Sequence, residues 1–105
     1  MLKNPKAKGS LRERQVRDIM IQAGYHVIKT GGSLGAFDLL CIQPIPSSDP
    51  TKDVKAIQVK SNRCSKKERQ ALEAMAWGWE LELWIKPDYK PWLVYRRVDG
   101  RFELI

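Results

Sequence analysis

The sequence predicts a single α/β domain, a mixed five-stranded sheet flanked by helices in the order α-β-β-β-α-β-β. Three observations predict it. Two S-x-x-E capping boxes, Ser10-Leu11-Arg12-Glu13 and Ser65-Lys66-Lys67-Glu68, each open a helical stretch. Short β-rich runs, alternating or continuously apolar, fill the chain between and after them. Gly, Pro and Asp-Gly signals separate those runs. At 105 residues the chain is long enough for one core and too short for two.

Residues 1–9 read as a basic arm containing Pro5 and Gly9, flexible when free, and residues 10–105 as the folded domain. The first helix is expected from Ser10 to about Ala23, stopping at Gly24, the usual residue after a helix end. Val16, Ile19, Met20 and Ala23 share one face, and Glu13 falls at its edge beside Val16 and Met20. Residues 25–30 alternate and form the first strand. Residues 36–42 are apolar except for Asp38, which predicts a strand buried on both faces. Pro44, Pro46 and Pro50 make residues 43–53 a loop. Residues 54–60 form the third strand, with Ile57 and Val59 on one face and Gln58 and Lys60 on the other.

The second helix should run from Ser65 to about Trp77 and end at Gly78. Residues 79–86 set Leu81, Leu83 and Ile85 against Glu80, Glu82 and Trp84, the pattern of a half-buried fourth strand. Residues 87–91 turn, residues 92–98 form the fifth strand, and Asp99-Gly100 is a hairpin signal leading into residues 101–105. The chain has no internal repeat and no low-complexity segment.

Nineteen Lys and Arg against twelve Asp and Glu, a net charge of +7, favour a polyanionic partner. No apolar run approaches the roughly 18 residues of a membrane span. The basic N-terminus lacks the apolar core of a signal peptide. Cys41 and Cys64 have neither CxxC spacing nor nearby His, and read as reduced thiols in a cytoplasmic protein.

The chemistry concentrates between Gly31 and Lys60. A Gly/Ser-rich turn, Gly31-Gly32-Ser33-Leu34-Gly35, precedes Asp38, and Gln58-Val59-Lys60 follows on the next strand. Hydrolysis of a phosphodiester needs a metal that polarises the phosphoryl oxygen and acidifies a water. Mg²⁺ takes hard oxygen ligands and keeps several waters, so one or two carboxylates suffice. Asp38, ionised within an apolar strand, needs a counter-charge that a metal would supply. Gln58 offers an amide oxygen, Val59 its backbone carbonyl, and Lys60 an ammonium to orient water or stabilise phosphate charge. Each residue also has a plain structural reading. Asp38 can cap the preceding turn, Gln58 and Lys60 can be the polar face of an edge strand, and Glu13 already belongs to a capping box.

The constellation is more specific than its parts. Helix with Glu13, strand, Gly-Ser turn, strand with Asp38, strand with Gln58-x-Lys60, then helix is the order of the PD-(D/E)xK nuclease core. Lys8-Gly9-Ser10-x-x-Glu13-Arg14, Gly32-Ser33-x-Gly35-x-x-Asp38 and Gln58-Val59-Lys60-Ser61 together resemble the archaeal-type Holliday junction resolvases, which some viruses also carry. The resemblance implies a restriction-endonuclease-like fold and a dimeric enzyme using Mg²⁺, with Mn²⁺ able to substitute, on four-way DNA junctions. It makes Glu13 and Asp38 the catalytic, metal-binding acids and Lys60 the catalytic lysine. Ser33 matches a serine in a mobile loop that approaches the scissile phosphate. Gln58 stands where the family has its second acid, and Phe37 replaces the proline of the motif's name.

Lys3, Lys6, Lys8, Arg12 and Arg14 surround the expected site and suit phosphate contacts, as do Arg63, Lys66 and Lys67 just past the third strand. His26 reads as packing or solvent-facing. Trp77, Trp79, Trp84 and Trp92 read as core or interface. A four-way junction is two-fold symmetric, so a chain with one site would cut both strands as an isologous homodimer. The tryptophan-rich second half and the second helix are the candidate dimer surface. The rival functions are another nuclease on this core (flap, repair or restriction type) and a DNA-binding protein whose site has decayed at Gln58.

Overall fold

The computed structural model describes residues 5–30, 37–45, 47–49, 52–76 and 78–105, leaving aside the side chains of residues 5–7. The elements are α1 (Pro5–Gln22), β1 (His26–Lys29), β2 (Leu39–Ile42), β3 (Val54–Ser61), α2 (Lys66–Ala74), β4 (Glu80–Lys86), β5 (Leu93–Val98) and β6 (Arg101–Leu104). The strands form one mixed sheet in the order β1-β2-β3-β4-β5-β6. β3 and β4 are parallel, joined through α2, and the other neighbours pair antiparallel.

The sheet therefore has six strands, not the expected five. Asp99 and Gly100 both take positive φ, 52° and 79°. That is the backbone of a two-residue hairpin whose twist matches its strands, and it returns the chain alongside β5. Phe102 closes the extra strand into the core at 6% exposure.

α1 begins at Pro5, five residues before the expected Ser10. Proline is favoured at a first helical position, where its fixed φ suits the helix and no N–H is needed. Ser10 is consequently an exposed mid-helix residue, and its capping box is not used as a cap. Residues 5–9 of the supposed flexible arm are helical. At the other end Tyr25 N–H bonds Met20 O at 3.1 Å and Gly24 N–H bonds Ile21 O at 3.0 Å. With Gly24 at φ 99°, this is the expected glycine-terminated Schellman cap.

Val16 and Met20 of α1 pack on Leu39, Cys41, Ile57, Val59 and Trp84, forming the core on one face of the sheet. Each such side chain contributes about 1.5–3 kcal/mol by leaving water. Ile19 and Ala23, assigned to the same helical face, are exposed. The second core holds Phe37, Ala56, Leu72, Leu81, Leu83, Ile85 and Phe102 under α2. α2 uses its capping box as expected: Ser65 Oγ accepts from Glu68 N–H at 3.2 Å and donates to Glu68 Oε1 at 3.0 Å. The helix stops at Ala74, three residues before Trp77, which lies outside the described residues. The Arg97 guanidinium closes its end, donating to Leu72 O at 3.0 Å and Met75 O at 2.6 Å.

β4 is buried on both faces, not half-buried. It is a central strand, and its one fully buried acid, Glu82, is neutralised by Lys55 at 3.1 Å and Arg96 at 3.0 Å. β2 departs the other way. Leu39 and Cys41 are buried while Leu40 and Ile42 are half-buried, so only one face is sealed.

Among the described residues two more non-glycine residues take positive φ besides Asp99: Asn62 at 76° and Tyr89 at 61°. Asn and Asp tolerate this region through local hydrogen bonding, whereas other side chains lose about 1–2 kcal/mol there.

Candidate active site

Asp38 is fixed by three hydrogen bonds. Its N–H donates to Ile57 O at 2.9 Å, its carbonyl accepts from Thr30 N–H at 3.0 Å, and its Oδ2 accepts from Val59 N–H at 2.9 Å. The last bond has a simple origin. β2 pairs β3 only from Leu39 opposite Ile57, so the Val59 N–H, on the same edge two residues on, has lost its strand partner. The Asp38 carboxylate takes that place. In a strand the N–H and C=O of one residue point to the same edge, so the Val59 carbonyl also faces the Asp38 side. Thr30, 8% exposed, closes the base of the intervening loop by donating from Oγ1 to Phe37 O at 2.6 Å. Phe37, the residue before Asp38, anchors the α2-side core at 3% exposure.

α1 brings Glu13 to this aspartate. Burial holds the Glu13 carboxyl above the ordinary glutamate range, and the neighbouring Asp38 raises it further by charge and by sharing a hydrogen bond. Lys29 opposes both, with its Nζ 3.8 Å from Glu13 Oε2. The site is thus a pair of like charges with one partly distant cation. Gln58 is half-buried on β3, and Lys60 lies two residues further on the same face. Lys60 is ion-paired with Glu68 at the start of α2. That contact and the Ser65 hydroxyl hold the Glu68 carboxylate below its usual range.

Glu13, Asp38 and the Val59 N–H therefore meet at one end of β3 through the helix–strand packing, with Gln58 next in the chain on the opposite face of the strand. Lys60 stands beside them but faces Glu68. Among the described residues, no three His, Cys, Asp or Glu side chains gather as metal ligands. A divalent cation here would find two carboxylates, the Gln58 amide oxygen and the Val59 carbonyl, all hard oxygens of the kind Mg²⁺ and Mn²⁺ take. The excess of negative charge between Glu13 and Asp38 fits such an ion.

Ser33 and Lys3 lie outside the described residues, and the Lys6 side chain does too. Arg14, Arg63, Lys66 and Lys67 are exposed. Lys8 is bound to Asp88 at 2.6 Å, and Arg12 is half-buried, donating to Gln15 Oε1 at 3.1 Å. His26 is exposed on β1. Trp84 and Trp92 belong to the core, edge to face at 5.7 Å, while Trp79 is 45% exposed. Cys41 and Cys64 are both free thiols, and burial pushes Cys41 up to about 11. No helix among the described residues is long and apolar enough to cross a membrane.

Sequence reasoning passed over Thr30, Lys29 and Glu68. Thr30 had no local signal beyond ending a strand. Lys29 is opposed to Glu13 only once α1 lies on the sheet, and Glu68 was explained in full by its cap.

Two carboxyls, Glu13 of the first helix and Asp38 just before β2, thus face each other beside the parallel pair of a mixed α/β sheet. No protein-family model and no curated protein sequence matches the chain. A solved structure does: Hjc from Archaeoglobus fulgidus, a Holliday junction resolvase of an archaeal hyperthermophile. It is similar with a TM-score of 0.58 and 21% sequence identity, covering 90% of this chain and 81% of that one. The chain has the fold of an archaeal Holliday junction resolvase.

Proposed function

We propose that this protein is a metal-dependent, structure-selective endonuclease that resolves four-way DNA junctions by paired phosphodiester hydrolysis as a homodimer. The observation that carries the reading is the Glu13–Asp38 pair, two carboxyls pressed together at the end of β3 with too little positive charge to balance them. The likeness to the resolvase of Archaeoglobus fulgidus supports the choice of branched DNA over other nucleic acids.

Mg²⁺ or Mn²⁺ would be held by Glu13, Asp38, the Gln58 amide and the Val59 carbonyl, and would supply charge stabilisation at the phosphoryl group and an acidified water. Asp38 is presented rigidly through its three hydrogen bonds. A bound cation would draw the raised Glu13 carboxyl back down, because it would offset the repulsion from Asp38. Lys60 leaves Glu68 to meet the charge developing on the phosphate. Ser33 approaches the scissile phosphate from the Gly-Ser loop. Lys3, Lys6, Arg14, Arg63, Lys66 and Lys67 contact flanking phosphates, which makes binding fall steeply with salt.

Cleavage of a four-way junction in Mg²⁺ or Mn²⁺, its loss in EDTA and its loss in Asp38→Asn are the expected results. Flap, nicked and plain duplex substrates run alongside separate a resolvase from another nuclease. Equal cutting of all four DNAs would sink the junction specificity. A second reading rests on Gln58, a neutral amide where the related motif carries an acid. The chain would then bind junctions without cutting them. A silent wild type that becomes active as Gln58→Glu would establish it.

A further inference from the structure

We propose that Tyr89 is a stacking residue for a nucleobase left unpaired or unstacked at the branch point of the DNA. The inference rests on the branched-DNA reading above and adds a contact outside the carboxylate site. Tyr89 is 98% exposed, so its ring has essentially no packing against this chain. Its backbone nevertheless sits at φ 61°, in the left-handed region. The turn is closed by Lys90 N–H donating to Pro87 O at 3.3 Å, which makes Tyr89 the third of its four residues. A third position with positive φ is where glycine or asparagine is normally found. The other two such positions, Asn62 and Asp99, carry residue types that tolerate it. Among the described residues, only at Tyr89 does a bulky ring sit on positive-φ backbone with essentially no packing to offset the strain. Such an outlier points to a ligand.

The turn that carries the ring is braced. Lys86 Nζ donates to the carbonyls of Pro87 and Lys90, and Pro87 and Pro91 stiffen its two ends. Asp88 ties the turn to α1 through Lys8 at 2.6 Å. That contact first, with the charges of Lys8, Arg12 and Lys86, holds the Asp88 carboxyl below its usual range. With Lys90 next to the tyrosine, four cations surround one acid at the tip.

The turn also stands at the right end of the sheet. β3 and β4 are parallel, Ser61 is level with Lys86, and Asn62 N–H donates to Lys86 O at 2.8 Å. The turn after β4 and the Gln58–Lys60 end of β3 therefore share one rim. A cationic rim with an exposed aromatic on a braced turn suits a phosphodiester strand whose bases offer their π-faces. A fully paired duplex offers no such face, whereas a branch point does.

The test uses binding without cleavage, in EDTA, to a four-way junction carrying 2-aminopurine at the crossover and to plain duplex of the same sequence. Tyr89→Gly should weaken junction binding about tenfold. Duplex affinity and thermal stability should be unchanged or higher, because the strain is gone. Tyr89→Phe should bind like wild type, and the 2-aminopurine signal should change on binding only when a ring is present. Junction affinity unchanged in Tyr89→Gly, or an equal loss on junction and duplex, would overturn the proposal. The nuclease reading is judged apart, on wild-type cleavage in Mg²⁺. A chain that cuts junctions equally well with Tyr89→Gly loses only the stacking role. A wild type that binds no junction loses both.

Discussion

The two ends of β3 each hold a pair of acids on or beside the α1 face, and they are solved differently. At the start of the strand, Glu80 and Glu82 face Lys55 and Arg96. Glu82 accepts from Lys55 at 3.1 Å, from Arg96 at 3.0 Å and from the Trp84 indole at 2.9 Å. Two cations answer two acids, and the pair can be buried because every oxygen is met. At the far end, among the described residues, Lys29 lies 3.8 Å from Glu13, and burial and the neighbouring Asp38 hold the Glu13 carboxyl above its ordinary range. The first cluster is complete within the chain. The second leaves negative charge unbalanced, and that contrast is what supports the proposed metal site there.

Breaking the balanced cluster should cost the most. Glu82→Ala leaves Lys55, 8% exposed, without its closest acid. A loss of about 3–5 kcal/mol is expected from chemical denaturation, with cleavage per folded molecule unchanged. At the other end the signs reverse. Asp38→Asn keeps an oxygen for the Val59 N–H and removes the repulsion, so stability should hold or rise. Its cleavage should fall by more than the ~100-fold that losing an outer partner of a metal site costs. Equal destabilisation by the two variants would erase the distinction between the ends.

Adding charge sharpens the comparison further. Gln58→Glu should tighten Mg²⁺ binding on the order of tenfold, measured by calorimetry, and should lower stability when the metal is removed. The smallest effect concerns protons. The Glu13 carboxyl in the folded chain lies above 4.5, so between that value and its raised one the folded state binds more protons than the unfolded state. Stability in EDTA must therefore fall as pH rises through that window, while metal affinity rises with it. Glu13→Gln should flatten both curves, followed as melting temperature against pH with and without Mg²⁺.

How much of this was legible in the sequence depended on whether a feature was local. The Gly24 helix end, the Ser65–Glu68 cap and the Asp99-Gly100 hairpin rest on backbone preferences of a few neighbouring residues, and the chain follows them. Ser10 shows where local reading fails. Its capping box is intact, but Pro5 starts the helix earlier and Asp88 holds Lys8 in the added turn, so no cap is needed there. The sixth strand was signalled by its hairpin but lay beyond the strand count, and only pairing with β5 made it part of the sheet.

The charges divide in the same way. Sequence singled out Asp38 because an acid in an apolar strand demands a partner. It could not say that the partner would include the Val59 N–H, because that donor is freed only where β2 stops short of β3. Glu82 looked like the solvent face of an alternating strand, and two cations distant in sequence, Lys55 and Arg96, allow it to be the most deeply buried acid among the described residues. Lys60 stood out in the sequence as a candidate lysine for the site, yet its contact with Glu68 depends on how α2 is set against the sheet. Spacing along the chain determined which residues have chemistry to offer: Glu13, Asp38, Gln58 and Lys60. Which of them share a field, and which are already satisfied, was decided by packing, because Coulomb energy depends on distance and burial that no local pattern contains.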